Sequence, residues 1–486
     1  MGCRGTTLIP LRAVIGFLGF LGIVLQYILK VTLSVAINGM VVHSTNTEVA
    51  DETCPTPDNA NANSTDAAQE GDFDWDEEMQ GYILSSYYYG YAATNILGGY
   101  AAARFSARWV YGMGLITAGV FTALGPLCAY AGAILFMFSR IIVGLASGVI
   151  IPAMHVLFPK WFPESERQRI TGALFSATYL GTVLSMSSSG SMVKNLGWTS
   201  VFYIYGGITI FSVLPWFYFV YDEPESHPRV SEKEKIYILE NTKGNRAKRT
   251  EKNTDSHHKE DLIGNPWPMI LTNAPMWVHA FIMFGTGWVS FTLLSELPTY
   301  VGNILHYDID DAGLISALPY LFGWISCSVY SFLTQKFTEK GMRVITTMRI
   351  WDAVACIGSA LCLLGVTLVN CDVTVIIVLF VLTMVSRCAV YGGSYMNHLY
   401  LFPQAYGSAA GLALTASNLT GILTPLVTSA FVSGRQTVQQ WKYVFYVSMG
   451  MATLPYVFYL IFGSAEDQET PWIEKRKMKR KQQCVP

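Results

Sequence analysis

Three cations stand inside long apolar runs. Lys30 lies in FLGIVLQYILKVTLSVAINGM, Arg140 in ILFMFSRIIVGLASGVIIPAM and Arg387 in VIIVLFVLTMVSRCAVYGG, with no carboxylate within a helical turn or two of any of them. A cation at membrane depth costs at least about 2.5–3.5 kcal/mol on insertion scales, so such residues usually face a cavity and serve a function. Positive groups without a local anion imply that a ligand brings the negative charge. A guanidinium meets a carboxylate or phosphate with two parallel hydrogen bonds, which makes Arg140 the first choice for substrate contact. Arg140, Gly144, Ser147 and Gly148 recur at i, i+4, i+7 and i+8 and share one helical face. Small residues there either open a lane beside the guanidinium or let a neighbouring helix approach closely.

Other polar residues in apolar surroundings join the candidates. Lys30 lies about 27 Å along its helix from Arg12 at 1.5 Å per residue; its alternative is to snorkel to the headgroups. Arg387 is either a second cavity cation or the partner of a carboxylate on another helix. His155, four turns from Arg140, suits a gating or proton role, since imidazole titrates near about pH 6.5. Glu296 closes its run as a cap or a gate. Tyr87, Tyr88 and Tyr89 are consecutive, so only one or two can face a cavity. Tyr300 follows Pro298, where a break in the helix is expected, and broken helices line transport paths. Asn418 forms Asn-Leu-Thr at membrane depth and is read as a polar contact. No nucleophile, His/Asp pair or metal set clusters, and the nine cysteines lack metal-ligand spacing. Neither an enzyme, a metal nor a cofactor is expected.

These residues need a membrane scaffold. Of 486 residues 51% are hydrophobic and 14% charged, and the net charge of −2 gives nucleic-acid binding no electrostatic support. A helix needs roughly 20 apolar residues to cross a bilayer. Spans are expected near 13–41, 82–103, 109–131, 134–158, 170–193 and 199–221, then near 273–302, 311–334, 344–368, 373–398, 408–433 and 440–463. The first run is too long for a signal-peptide core. A polar segment, 222–262, separates bundles at 1–221 and 263–463, and a basic tail occupies 464–486. The loop 42–80 holds eleven acids and no Lys or Arg, while short basic loops fall on the opposite side. The positive-inside rule puts both termini in the cytosol and the acidic loop outside or in a lumen. Asn63 in that loop begins a glycosylation sequon. Cys54 and Cys371 share the oxidising side, but sequence does not set their separation, so their pairing stays open.

The halves echo each other. Arg104-Phe105-Ser106-Ala107-Arg108 follows the second span and Lys336-Phe337-Thr338-Glu339-Lys340 the eighth. Parallel repeats of this kind mark a two-bundle transporter with a midplane site. The fold class is therefore an all-α membrane protein with twelve transmembrane helices in two six-helix bundles.

An ordered set of stretches resembles solute carrier family 17 of the major facilitator superfamily, most of all its insect-type inorganic phosphate cotransporters. They are Tyr27-Ile28-Leu29-Lys30-Val31-Thr32-Leu33-Ser34, Gly98-Gly99-Tyr100, Pro152-Ala153-Met154-His155, Glu225-Ser226-His227-Pro228-Arg229, Glu296-Leu297-Pro298-Thr299-Tyr300 and Asn397-His398-Leu399. The resemblance implies the major facilitator fold and supports Arg140 and His155 as site residues. It also marks departures. Lys30 stands where relatives carry Arg, Ser147 where the proton-coupled branch has Glu, Thr286 where vesicular glutamate transporters have Arg, and Tyr400 where an Asp is usual. Arg104 and Arg108 form a degraded version of the superfamily's gating loop, with Ala103 in place of its acid.

The expected function is secondary transport of a small anion, inorganic phosphate or an organic acid, by alternating access. Coupling would be to Na⁺, to H⁺ or to membrane potential alone. The protein is expected to be a monomer in the plasma membrane or an endolysosomal or vesicular membrane. The rival reading is an anion sensor that keeps the fold without turnover.

Overall fold

In the computed structural model the described residues are 10–42, 54, 71–162, 164–240, 266–369, 371–403, 405–433 and 436–475. Asn63, most of the acidic loop and the basic end of the tail lie outside them.

Twelve helical spans follow one another. In the first half they are α1 (Leu11–Met40), α2 (Glu77–Arg104), α3 (Ala107–Ala123, bent by 45° into Gly125–Ala131), α4 (Ala133–Gly148 running on into Ile150–Trp161), α5 (Glu164–Leu196) and α6 (Trp198–Phe219). In the second they are α7 (Ala274–Asn303), α8 (Ile309–Glu339), α9 (Val344–Leu368), α10 (Val373–Leu401), α11 (Tyr406–Val432) and α12 (Val438–Phe462). Among the described residues nine of these helices are long and apolar enough to cross a membrane, or ten with the bent α3 pair. The expected spans agree with the observed ones to within a few residues at most ends.

Local chemistry sets several starts. The Asp76 carboxylate accepts from Met79 N at 2.8 Å, Ser106 Oγ from Trp109 N at 3.2 Å and Asn273 Oδ1 from Met276 N at 3.2 Å, each satisfying an orphan first-turn donor. Helix α1 begins after Pro10, which has no capping side chain. Glu234, from the segment between the halves, supplies the missing acceptors, taking Leu11 N and Arg12 N at 3.0 Å each. At Gly197 a φ of +81° turns α5 into α6, a conformation that favours glycine.

Two irregular stretches interrupt the second half. A π-helical turn occupies Val354–Gly358 in α9. Opposite it, α10 passes through 3₁₀ turns at Cys388–Tyr391 and Ser394–Met396. Asp352 bridges the two, accepting from Ser394 N and Ser394 Oγ at 3.1 Å each.

The expected break at Pro298 is not there. Helix α7 runs unbroken from Ala274 to Asn303, with Pro298 inside it. Proline removes one ladder bond, but in a buried span its neighbours hold the helix together.

The halves touch through α1 with α7, α2 with α11 and α5 with α8. Several described polar links between them gather at the end that carries the acidic loop. Lys194 meets Asp308 at 3.3 Å and Asp310 at 3.1 Å, Thr299 Oγ1 donates to Asn38 Oδ1 at 3.4 Å, and Ser85 Oγ donates to the Ile422 carbonyl at 3.0 Å. The Cys54–Cys371 disulfide, left open by the sequence, is formed at that same end.

Candidate functional site

Helices α1, α2 and α4 bring two of the three cations together. The Arg140 guanidinium reaches the Leu29 carbonyl from Nη1 and Nη2, both at 3.4 Å, so it lies beside Lys30. Both are buried, with Lys30 4% and Arg140 2% exposed. Among the described residues neither makes an ion pair. The burial of the lysine removes its snorkelling alternative.

Lys30 Nζ sits instead among four rings. Their centroids are 4.9 Å away for Tyr27, 5.1 Å for Tyr88, 4.8 Å for Tyr91 and 4.6 Å for Phe291. Tyr88 and Tyr91 come from α2, and Phe291 crosses from α7 in the other half. A ring face attracts a cation with about 0.5–2 kcal/mol. An ion taken out of water loses several kcal/mol even after relaxation. The rings therefore compensate only part of the burial, and an anion would be welcome.

A second feature adjoins Arg140. Its Nε is buried without a hydrogen-bond partner, while the Tyr87 hydroxyl, Ser147 Oγ and Gln26 Oε1 are buried nearby and engage one another around Tyr87. The Tyr87 ring lies 5.5 Å from the Arg140 guanidinium carbon, and Gln26 Nε2 donates to the Ser147 carbonyl at 3.1 Å. Buried polar atoms normally find partners, so an orphan guanidinium N–H beside this polar group suits a bound polar molecule. Gln26 was missed from sequence. The signal was available: an amide in an apolar run, one helical turn from Lys30.

The glycine lane is overturned. A Cβ on Gly144 would collide with the Tyr87 carbonyl, and one on Gly148 with Thr94 Oγ1. Both glycines serve close packing of α4 on α2. Of the tyrosine triplet, Tyr87 and Tyr88 turn inward and Tyr89 outward, with 43% of its surface exposed.

Arg387 stands apart from this pair, where α10 leaves its α-helical path. It is buried, and Nε donates to the Thr286 carbonyl at 3.3 Å while Nη1 donates to the Tyr179 hydroxyl at 3.2 Å. Its partners are thus a carbonyl and a phenol, not the carboxylate weighed from sequence. Tyr179 belongs to α5, so this contact also crosses between the halves.

The remaining candidates scatter. Tyr300 does not flank a helix break; it is buried among Phe380, Trp441 and Phe445 within the second half. Asn418 is buried, three residues before Gly421, which packs against the Tyr88 ring, so the two share a helix face toward α2. Glu296 is buried in α7, with Oε1 unpartnered. His155 is exposed on α4, and electrostatically it neighbours His398 on α10. His398 in turn lies 5.7 Å from the ring of His279. Arg104 is exposed. Arg108 is used inside the first half: its guanidinium donates to the Phe217 carbonyl and lies 4.2 Å from the Tyr221 ring, and its backbone N–H meets Asp222 at 3.0 Å. These contacts brace α3 on α6. Among the described residues no group of three or more His, Cys, Asp or Glu could hold a metal.

Known proteins resemble this chain in sequence and in fold. The sequence pattern of the Major Facilitator Superfamily matches residues 17–425. Sialin of Homo sapiens is 31% identical over 93% of this chain and 89% of its own length. A protein named "Putative inorganic phosphate cotransporter" from Drosophila ananassae is 30% identical over 92% of both chains. Vesicular glutamate transporter 1 of Bos taurus is 29% identical over 97% of this chain and 80% of its own. Among solved structures, a bacterial homologue of the human lysosomal transporter Spinster, inward-facing and occupied, superposes with a TM-score of 0.65 at 12% identity, covering 94% of this chain and 97% of that one. The xylose transporter XylE of E. coli, partially occluded and inward open, gives 0.64 at 14% identity over 93% and 99%. With buried cations on a twelve-helix scaffold, and with relatives of this kind along nearly its whole length, the chain belongs to solute carrier family 17 of the major facilitator superfamily, a family of multi-pass membrane transporters.

Proposed function

We propose that this transporter moves a small organic anion by alternating access, with Arg140 holding the carboxylate and Lys30 adding a second positive charge. The observation that carries this reading is the pair of buried cations without an ion partner, next to the unpartnered Arg140 Nε and the buried polar group of Tyr87, Ser147 and Gln26. One guanidinium with neutral donors and acceptors and tyrosine rings suits a carboxylate on a carbon skeleton. Inorganic phosphate, the substrate named for one relative, offers the rings no apolar surface. It is the second reading. Tyr87 and Gln26 would contact the polar part of the substrate, Ser147 would lie beneath it, and Asn418 would approach from α11. Arg387 would tune the field from the far half, and Tyr300 would support the wall behind.

The bundles are taken as residues 1–221 and 263–463, rocking about the central contacts. Both termini are assigned to the cytosol and the acidic loop, with a glycan on Asn63, to the lumen or outside. On that orientation the links at Lys194, Thr299 and Cys54 close the outer end. His155 would gate the cytosolic end beside His398, with Arg104 at its rim. The protein acts as a monomer in a plasma, lysosomal or vesicular membrane. Coupling is to a proton, to Na⁺ or to membrane potential; about 2.3 kcal/mol per charge at 100 mV gives roughly fifty-fold accumulation.

The test is uptake of labelled organic acids and phosphate into proteoliposomes, with pH, Na⁺ and voltage varied separately. Saturable uptake of an organic acid supports the reading. Phosphate uptake alone favours the second reading, and binding without flux favours a sensor.

A further inference from the structure

Glu296 stands out among the buried groups that anion binding does not use. Three carboxylates are buried among the described residues: Glu296, Asp352 and Glu469. Asp352 is held by Ser394, and Glu469 accepts from Ala405 N at 3.4 Å, so each anchors backbone. No described hydrogen bond or ion pair ends on Glu296, and its Oε1 is enclosed without a partner. Glu296 lines a small, apolar-walled cavity with Thr292, Tyr300, Phe380, Trp441 and Phe445. The indole N–H of Trp441 is also unpartnered.

Burial decides the charge state. An ionised carboxylate left uncompensated in the interior costs several kcal/mol, whereas a neutral carboxyl with an unmade hydrogen bond costs about 1–3 kcal/mol. The titratable groups facing Glu296 are Tyr88 from α2 and Tyr300 on its own helix; α10 and α12 present Phe380, Trp441 and Phe445. None is a cation. The residue beside it, Ser295, lies against Tyr88, one of the rings around Lys30, so Glu296 sits where the two halves part.

We propose that Glu296 is the carboxyl that carries the coupling proton. This rests on the transport reading above. With the acidic-loop end open, a hydronium ion transfers a proton to the carboxylate and leaves as water. With that end closed, as here, the O–H bond is kept. With the opposite end open, the proton passes to water on that side and the carboxylate is restored. The carrier and the anion site thus occupy opposite sides of the α1–α7 contact.

Glu296→Gln tests it in two arms. In proteoliposomes the ratio of pH-gradient-driven uptake to anion exchange at equal pH should fall about tenfold or more, within the range of ordinary coupling factors. By infrared spectroscopy of the purified protein, the wild type should show a protonated-carboxyl C=O band that the variant loses. An unchanged uptake ratio, an unchanged band, or wild-type uptake driven by Na⁺ and indifferent to pH overturns the proposal. Lack of any uptake in the wild type would sink the transport reading instead, and the infrared arm would still report whether Glu296 holds a proton.

Discussion

The two halves bury opposite charges. In the first half the buried membrane charges are Lys30 and Arg140, and no buried acid lies among its described residues. In the second half they are Glu296 and Asp352, with Arg387 as the only buried lysine or arginine among its described residues. Net attraction would be strongest if these groups paired across the interface, yet no described ion pair joins them. On the proposed reading, each half keeps a group that takes a mobile partner, an anion on one side and a proton on the other. The halves communicate where the chemistries meet, through Phe291 reaching the rings around Lys30 and Tyr179 reaching Arg387. Separation of the two sites across a moving interface lets one conformational change serve both ligands.

The hardest blow to this contrast removes the cation that has no substitute. Arg140→Ala should reduce uptake by at least about thirty-fold, since truncating one partner of a buried charged contact costs about 2–5 kcal/mol. Arg140→Lys should recover little, because the planar fork is lost. Uptake at constant surface expression reads both; normal flux in Arg140→Ala would remove the first half's claim to the anion. Lys30→Gln comes next. Its ring set already compensates part of the charge, so the expected result is roughly a tenfold rise in KM, about 1.4 kcal/mol, with a smaller change in kcat. An unchanged KM would make the lysine a strut between α1, α2 and α7.

Much of this was legible in the sequence, and the rest was hidden for identifiable reasons. Spans could be placed because a bilayer fixes helix length, and Arg140 could be singled out because an unpaired cation in an apolar run has few innocent explanations. The ring cage could not be read. Tyr88, Tyr91 and Phe291 are ordinary apolar-run residues until helix packing brings them around one ammonium. Gly144 and Gly148 carried two meanings in sequence, and only the closeness of Tyr87 and Thr94 settles them as packing residues. Pro298 misled because proline breaks helices in water more readily than in a span whose neighbours hold it. Asp352 went unnoticed because its partner, Ser394, is 42 residues away on another helix.

Adding an acid to the first half sharpens the comparison. Ser147 is fully buried beside Gln26 and Tyr87. Ser147→Glu should therefore place a carboxyl close to Arg140. A free glutamate titrates near about pH 4.3. When ionised it competes with the anion for the guanidinium; when protonated it does not. Affinity should thus rise as pH falls through the glutamate's pKa, giving flux a pH dependence steeper than in the wild type. An unaltered profile would place Ser147 off the path.

The smallest effect is expected at the closed end. Lys194 bridges Asp308 and Asp310, but its side chain is 43% exposed, and exposed pairs contribute only about 0–1 kcal/mol. Lys194→Ala should shift the balance toward the open-loop conformation by less than about fivefold, and less again at high salt, where exposed charges are screened. Accessibility of a cysteine placed at Asn38, read by thiol labelling in a background lacking other reactive cysteines, would follow the shift. A large, salt-independent increase in labelling would mean that this ion pair, rather than the packing of α1, α5, α7 and α8, holds the end shut. The charge contrast between the halves would then extend to their rim, and the acids at positions 308 and 310 would belong to the gate rather than to the solvated surface.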